Sequence, residues 1–516
     1  MSFFTSKAIF LRSYNLVSYK IILVKKHIPF IIALLFLFSC TQKTIDTAKV
    51  ENAKAPKPLD VVPSEAQLAW HDMEFYAFVH FTINTFTDKE WGYGDESPKL
   101  FNPTNLDCNQ WAKVAKEAGM KGIIFTAKHH DGFCLWPSKY TEHSIKNSPY
   151  KQGKGDLIKE LSNACKKEGL KMGLYLSPWD RNSAVYGKPE YIKYYRNQLR
   201  EILSNYGEVY EIWFDGANGG DGYYGGANEK RKIDRIKYYD WENTRKIVRE
   251  LQPNAIMFSD GGPGCRWVGN EYGFAGETNW CTLNGKEFYP GSPNSAILPY
   301  GHENGTDWIP AECDVSIRPG WFYHKKEDSL VKTTKELMEI YYKSIGRNGN
   351  LLLNLPVDRT GQVNKHDIEA LKAFRKALDK EFSVDLARGK KVIADSWRGH
   401  NKMFAPDNVV DGKKETYWCT DDGITTGSLI IDFGQPTEIN RIILQEYIKL
   451  GQRVRTFNVE AFINGKWEIT GAGTTIGHKR ILKLPPVKTN KIKINILSSK
   501  ACPVISNIEV YRAPDK

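Results

Sequence analysis

The feature that most constrains this chain is a repeat: short apolar runs ending in polar residues, with amphipathic stretches between them. The runs are 75–81 (FYAFVHF), 122–128 (GIIFTAK), 171–177 (KMGLYLS), 211–215 (EIWFD) and 255–260 (AIMFSD), with further candidates at 312–317 and 350–356. Runs of this length bounded by glycines and polar residues read as buried strands. The stretches between them have helical period. One spans 104–119, with a cap at Thr104 or Asn105 and a stop at Gly119, and another spans 156–169, opened by Asp156 and closed by Gly169. Others are expected at 191–206, 240–251, 329–345 and 365–382. Alternating strand and helix means parallel strands joined by helical crossovers. The total predicts an α/β chain with a (β/α)₈-type barrel over 63–385. A doubly wound sheet is the alternative, but no Gly-rich phosphate loop follows any strand.

In a β/α barrel the carboxyl ends of the strands form the catalytic face. Those ends carry His80, Lys128-His129-His130-Asp131, Tyr175, Trp213 with Asp215, and, after the fifth run, Arg266-Trp267-Val268-Gly269-Asn270-Glu271. Glu90-Trp91 lies in the loop after the first run. Trp213 and Asp215 are two apart and so share a side of their strand. Each residue alone has a bland reading: Asp215 as a turn cap, His80 as a core imidazole, Arg266 as a loop cation. Their convergence on one face is harder to explain by packing. His129 and His130 would point to opposite faces of a regular strand, and neither His-x-His nor HExxH occurs. They read as hydrogen-bonding imidazoles; no metal and no cofactor are expected. Imidazoles, carboxylates and indoles together suit a sugar pocket.

From about 70 to 360 the sequence resembles the α-L-fucosidases of glycoside hydrolase family 29. The matching pieces are Phe78-Val79-His80-Phe81, Asn84-Thr85-Phe86, Glu90-Trp91-Gly92, Ala127 through Phe133 (AKHHDGF), Trp213-Phe214-Asp215-Gly216 and Arg318-Pro319-Gly320-Trp321. The resemblance implies a retaining exo-hydrolase of terminal fucose with Asp215 as nucleophile. It implies sugar contacts from His80, Glu90, Trp91, His129, His130, Tyr175 and Trp213, with Trp321 as an aromatic wall near the sugar's methyl group. Arg266 is counted with these contacts. Candidates for the acid/base are Glu271, Glu277 and Glu312. Glu271 is chosen, with Glu277 second, because the Arg266–Glu271 segment resembles the branch acting on α-1,3/1,4-linked fucose. Two other readings remain open: a glycan-binding protein with a decayed barrel, and a metal hydrolase using His129 and His130.

Beyond about 390 short alternating strands take over, at 428–433, 439–445, 456–463, 491–497 and 505–511, with a turn at Asn464-Gly465. They predict a β-sandwich over 390–516. Ala405 through Gly412 (APDNVVDG), Trp418 and Ile431-Asp432-Phe433-Gly434 resemble discoidin-like carbohydrate-binding modules. Glycan binding and a purely structural role are equally compatible with that likeness.

The N-terminus is of another kind. Residues 1–39 hold Lys7, Arg12, Lys20, Lys25 and Lys26 and no acid, then the apolar run 31–38, then Ser39-Cys40. The run is short for a membrane span and its basic flank reads as an export signal. Leu37-Phe38-Ser39-Cys40 resembles a bacterial lipobox, which implies acylation of Cys40. Residues 40–62 then form a tether. The expected place is a bacterial membrane, periplasmic or outer-surface, and the expected partners are fucosylated glycans. Five of the chain's twelve net positive charges fall in the leader, and no basic run or nucleic-acid motif follows. The nine cysteines show no CxxC or Cys/His spacing; Cys108 and Cys165 read as small core residues.

Overall fold

The computed structural model describes residues 53–293 and 295–514. The leader, Cys40 and most of the tether lie outside the described residues. Eight parallel strands close into a barrel in chain order. They are β1 (Phe75–Val79), β2 (Gly122–Lys128), β3 (Lys171–Leu176), β4 (Glu211–Trp213), β5 (Ile256–Ser259), β6 (Cys265–Trp267), β7 (Ala311–Ser316) and β8 (Asn350–Asn354), with β8 pairing to β1. Helices α1 (Glu65–His71), α2 (Cys108–Glu117), α3 (Leu157–Glu168), α4 (Glu190–Ser204), α5 (Trp241–Leu251), α6 (Thr334–Lys343) and α7 (Lys365–Glu381) accompany them.

Alternation along each strand divides the barrel wall into two faces. On β1, Phe75, Ala77 and Val79 pack against the outer helices, while Tyr76 and Phe78 join Ile124, Tyr175, Trp213, Phe258 and Leu352 inside. The helix ends follow local chemistry. Asp156 accepts from Lys159 N, and Gly169 closes α3 at φ 69°. Helix α2 starts later than expected, because Asp107, and not Thr104 or Asn105, caps it.

The barrel departs from a regular eightfold repeat at β6, a strand not anticipated from sequence. Only Asp260–Gly264 separates it from β5. The register pairs Phe258 with Cys265, so β6 begins beside the carboxyl end of β5. The chain therefore need not return to the barrel floor, and no crossover helix intervenes. From β6 to β7 the chain again runs without an α-helix among the described residues.

The C-terminal region is one antiparallel sheet: β9 (Lys391–Ala394), β10 (Trp418–Cys419), β11 (Gly427–Glu446), β12 (Val454–Ile463), β13 (Lys466–Thr474), β14 (Arg480–Ser499) and β15 (Val504–Tyr511). Its order is β10-β15-β11-β14-β12-β13, with β9 paired to β11. The two strands expected at 428–433 and 439–445 are one, with register shifts at Asp432/Thr437 and Ile439/Arg441. These shifts bend the ladder, and both halves of the sheet share a single core including Leu429, Phe433, Ile442, Leu444, Phe457 and Ile494. Asn464-Gly465, both at positive φ, turns β12 into the unanticipated β13.

The sandwich is fixed to the amino ends of barrel strands. Glu74, just before β1, pairs with Lys479 at 2.7 Å and His478 at 3.1 Å. Asn348, just before β8, accepts from His478 N at 2.7 Å. The eight described cysteines are all buried thiols.

Candidate active site

The inward-facing positions at the carboxyl ends of the strands form a cavity of about 120 Å³. Phe78, His80, Trp91, His129, His130, Trp213, Asp215, Ala217, Glu271, Asp314 and Trp321 line it. No lysine or arginine lines it, so it is shaped for a neutral ligand with aromatic and hydroxyl surfaces.

Asp215 stands two residues past the end of β4 and keeps 22% of its side chain exposed. Tyr175 Oη donates to its Oδ2 at 2.9 Å and Ala217 N to its Oδ1 at 2.6 Å. Burial raises its pKa above the ordinary aspartate value, and these two donors hold the rise in check. The next residue must be glycine: a Cβ at Gly216 would stand 2.6 Å from Asp260 Oδ1 and 2.8 Å from Gly291 N. Glu271 occupies the exposed rim of the same cavity, where Trp321 Nε1 donates to its Oε2 at 3.4 Å. Partial burial raises its pKa, and the charges of Asp215 and Glu90 add to the rise. Burial is the leading cause of both shifts, and the two carboxyl groups share one cavity.

Strand β2 ends at Lys128, so His129 and His130 are free of strand alternation and both reach the cavity. The imidazole partners set the tautomers. Asn354 donates through Nδ2 to Ser316 Oγ and to Trp321 O, which leaves its Oδ1 to accept from His80 Nδ1 at 2.8 Å. Ser177 Oγ donates to Trp179 O, so His130 Nδ1 donates to Ser177 at 2.8 Å. Both rings therefore present a bare Nε2. Asn84 Nδ2 approaches His129 Nδ1 at 3.5 Å while donating to Glu90 O, which puts the His129 proton on Nε2. Burial holds His80 and His130 neutral, with pKa values pulled down to about 3, and pulls His129 well down too. The cavity thus offers two acceptors and one donor to a polyol.

Trp213 stacks on Phe258 with ring centroids 3.9 Å apart, and Tyr175 stacks on its other side at 5.3 Å. Trp321 packs near His80 at 5.2 Å, and Trp91, 53% exposed, stands at the rim beside His130.

Three expected residues lie elsewhere. Arg266 is fully buried and donates to Leu298 O, Ile309 O, Trp280 O and Asn279 Oδ1. On β6 the residues Cys265 and Trp267 face in, so Arg266 faces out and cannot touch a ligand. Glu90 is turned to the loop after β7, accepting from Trp321 N at 2.9 Å and Phe322 N at 3.1 Å. Tyr175 lies beneath the cavity and orients Asp215 instead of lining the wall.

The alternative acids are also placed. Glu277 bridges Arg347 and Arg480 where the barrel meets the sandwich. Glu312 is buried below Trp213, accepting from Trp213 Nε1 at 2.8 Å and from Tyr76 Oη, beside Glu211. Glu211, Cys265 and Glu312 have ligand atoms within 4.8 Å of one another, the one such cluster among the described residues. Its oxygens already accept from Trp70, Tyr76 and Trp213.

Sequence reasoning missed Asp314 and Asp260. Asp314 lines the cavity, accepts from Trp267 Nε1 at 2.9 Å, and is raised well above the aspartate range by burial and then by Glu271 and Glu312. Its signal was the polar alternation Glu312, Asp314, Ser316 along β7. Asp260 accepts from Gly291 N at 2.9 Å under Gly216, and burial and the charge of Asp215 push its pKa up to about 7.

Comparison with known proteins identifies the family. Residues 59–381 match the α-L-fucosidase family model and residues 392–509 the F5/8 type C domain, the discoidin-like module. α-L-Fucosidase 1 of Arabidopsis thaliana is 40% identical over 461 residues, covering 88% of each chain. A glycoside hydrolase 29 family member from an unknown rumen bacterium is 49% identical, with a TM-score of 0.79 over 90% of this chain and 79% of that one. A family 29 fucosidase of Ruminococcus gnavus, solved in complex with fucose, is 35% identical, with a TM-score of 0.80 over 90% of this chain and 97% of that one. The chain belongs to the α-L-fucosidases of glycoside hydrolase family 29 and carries a C-terminal discoidin-like domain.

Proposed function

We propose that this α-L-fucosidase removes terminal α-1,3- or α-1,4-linked L-fucose from branched glycans by double displacement, with Asp215 as nucleophile and Glu271 as acid/base. The observation that carries this reading is that Asp215 and Glu271 share one cavity while Glu277 and Glu312 do not. In the first step an Asp215 oxygen bonds to the anomeric carbon as the bond to the leaving oxygen breaks. Glu271 gives its proton to that oxygen. In the second step Glu271, now a carboxylate, takes a proton from water, and the water oxygen displaces Asp215. Tyr175 and Ala217 hold the nucleophile in line.

The ground-state contacts follow from the tautomers. Sugar hydroxyls donate to His80 Nε2 and His130 Nε2 and accept from His129 Nε2. Trp213 and Phe78 floor the pocket, Trp321 walls it, and Trp91 covers the rim. Fucose ends in a methyl where other hexoses carry a hydroxyl, and this aromatic lining leaves a hydroxyl there without a partner. The fucose complex of the Ruminococcus gnavus relative supports fucose as the sugar. The linkage rests on the resemblance of the Asn84-Thr85-Phe86 and Arg266–Glu271 segments to that branch of the family.

The test is digestion of Lewis-type trisaccharides beside an α-1,2-fucosylated one, with the anomer of released fucose read by NMR at early times. The expected outcome is α-fucose first, released faster from the Lewis-type substrates. Initial β-fucose overturns the double displacement, and release only from the α-1,2 substrate overturns the linkage. Export and acylation at Cys40 belong to the same proposal. Cys40→Ala is expected to move the protein from the membrane to the soluble fraction, and unchanged fractionation overturns it.

A further inference from the structure

We propose that His324 is a positioning residue, an ionic latch that ties the loop after β1 to the loop after β7 and so holds Trp321 and Glu271 at the pocket mouth. The inference rests on the fucosidase reading of that pocket.

His324 lies just past the Arg318-Pro319-Gly320-Trp321 segment and is almost fully buried. Its Nδ1 is 2.8 Å from Asp88 Oδ1 and its Nε2 is 2.7 Å from Glu90 Oε1. A neutral imidazole has one N–H and would turn a lone pair on one of these carboxylates. Only the imidazolium satisfies both. Asp88 and Glu90 belong to the loop after β1. Asp88 stands at φ 59°, ending the short helix Ile83–Thr87.

Glu90 passes the constraint on. Its two oxygens accept from Trp321 N and Phe322 N, while Asn354 Nδ2 donates to Trp321 O at 2.9 Å. The Trp321 backbone is thus held from both sides, and its indole donates to Glu271. The approach is close: a Cβ at Gly320 would meet Glu90 Oε1 at 2.5 Å and His324 Cδ2 at 3.1 Å. Glycine at 320 is what lets the two loops touch.

Other charges surround the latch. Glu327, in the turn after His324, accepts from Gly320 N and adds negative potential. Lys326 and Arg359 face Asp88, and Lys325 follows His324 in the chain. Burial lowers the His324 pKa, but the bonds to Asp88 and Glu90, with the charges of Glu90 and Glu327, outweigh it and the net shift is upward. The latch is therefore closed below that raised pKa and opens as pH rises through it.

The test is L-fucose binding measured by calorimetry from pH 5.5 to 9 in a Glu271→Gln background, where the acid/base cannot titrate. Affinity is expected to fall about tenfold across this range. Adding His324→Gln is expected to weaken binding about tenfold at pH 5.5 and to flatten the profile. Asp88→Asn, at a half-exposed position that folding tolerates, is expected to move the loss of affinity to lower pH. A pH profile unchanged by both variants overturns the latch. Aryl α-L-fucoside turnover by the unmodified protein tests the underlying reading separately. Turnover with an unchanged profile sinks only the latch, whereas neither turnover nor binding sinks both.

Discussion

Two pairs of carboxyl groups point into the same barrel, one above the other. Glu211 and Asp215 stand on one chain segment with Trp213 between them. Glu211 meets Glu312 below the indole, and Asp215 shares the cavity with Glu271 above it. The lower pair is sealed. Trp70 donates to Glu211 at 2.9 Å, while Tyr76 and Trp213 donate to Glu312. Burial and then Glu312 raise the Glu211 pKa well above the usual range, and burial raises that of Glu312 too against the donors it collects, so the pair holds on to a proton. That proton has no route to a ligand. The upper pair is half-solvated, and its two members have different partners. Both pairs are built from carboxyl groups, Glu with Glu below and Asp with Glu above. Access and donor set leave the upper pair open to a ligand and seal the lower pair beneath the pocket floor.

The sharpest way to break this comparison is Asp215→Ala. It is expected to lower kcat/KM roughly 10⁴-fold or more on every substrate, the scale on which loss of a catalytic nucleophile acts. Steady-state assay on an aryl fucoside and a Lewis-type glycan checks it, and near-normal turnover of either moves the nucleophile elsewhere.

Next in size is Glu271→Ala, expected to cost ~10²–10⁴-fold on natural glycans. An aryl fucoside should suffer less in forming its intermediate, because its leaving group needs no proton. Azide is expected to restore turnover and give the retained fucosyl azide. If Glu271→Ala keeps its activity while Glu277→Ala loses it, the two glutamates have been misassigned.

The same two groups set the pH profile. Activity is expected to fall as pH drops through the raised Asp215 pKa, which protonates the nucleophile, and to fall again as pH rises through the raised Glu271 pKa, which removes the acid. In Glu271→Gln the alkaline limb on an aryl fucoside should shrink to what His324 contributes. An undiminished limb would assign it to another group.

The lower pair should respond in stability. Glu312→Leu leaves the Trp213 indole and the Tyr76 hydroxyl without acceptors, at ~1–3 kcal/mol for each buried donor. Glu312→Gln keeps an acceptor and should cost much less. Thermal unfolding of the two variants separates them, and equal melting temperatures would contradict the donor assignment. The smallest effect is expected for Glu277→Gln. Its side chain is 64% exposed, so its ion pairs with Arg347 and Arg480 are worth ~1 kcal/mol at most, and kcat/KM should not change.

The barrel could be read from the chain because its signals are local. Apolar runs of strand length, helix caps such as Asp156 and stops such as Gly169 specify elements within a few residues, and their alternation dictates parallel pairing. Strand β6 escaped because three residues after a glycine-rich turn carry no periodicity. The site was legible wherever a residue ended a strand whose register the apolar pattern set, as with His80, Trp213 and Asp215. Arg266 misled because its strand was not seen, and without that strand its outward direction was hidden.

Sequence by itself determined seven of the eight barrel strands, the inward face of each long one and much of the polar set delivered to one end of the barrel. Those follow from two-residue alternation and chain direction. A family resemblance favoured Glu271 over Glu277 and Glu312, but only tertiary structure decided where each of the three sits. The loop after β6 has no period, and what distinguishes three glutamates is which partners, many residues away in the chain, surround each one. Contact with Arg347 and Arg480 makes one an ion-pair strut, contact with Tyr76 and Trp213 makes another a buried acceptor, and only the third is left facing Asp215.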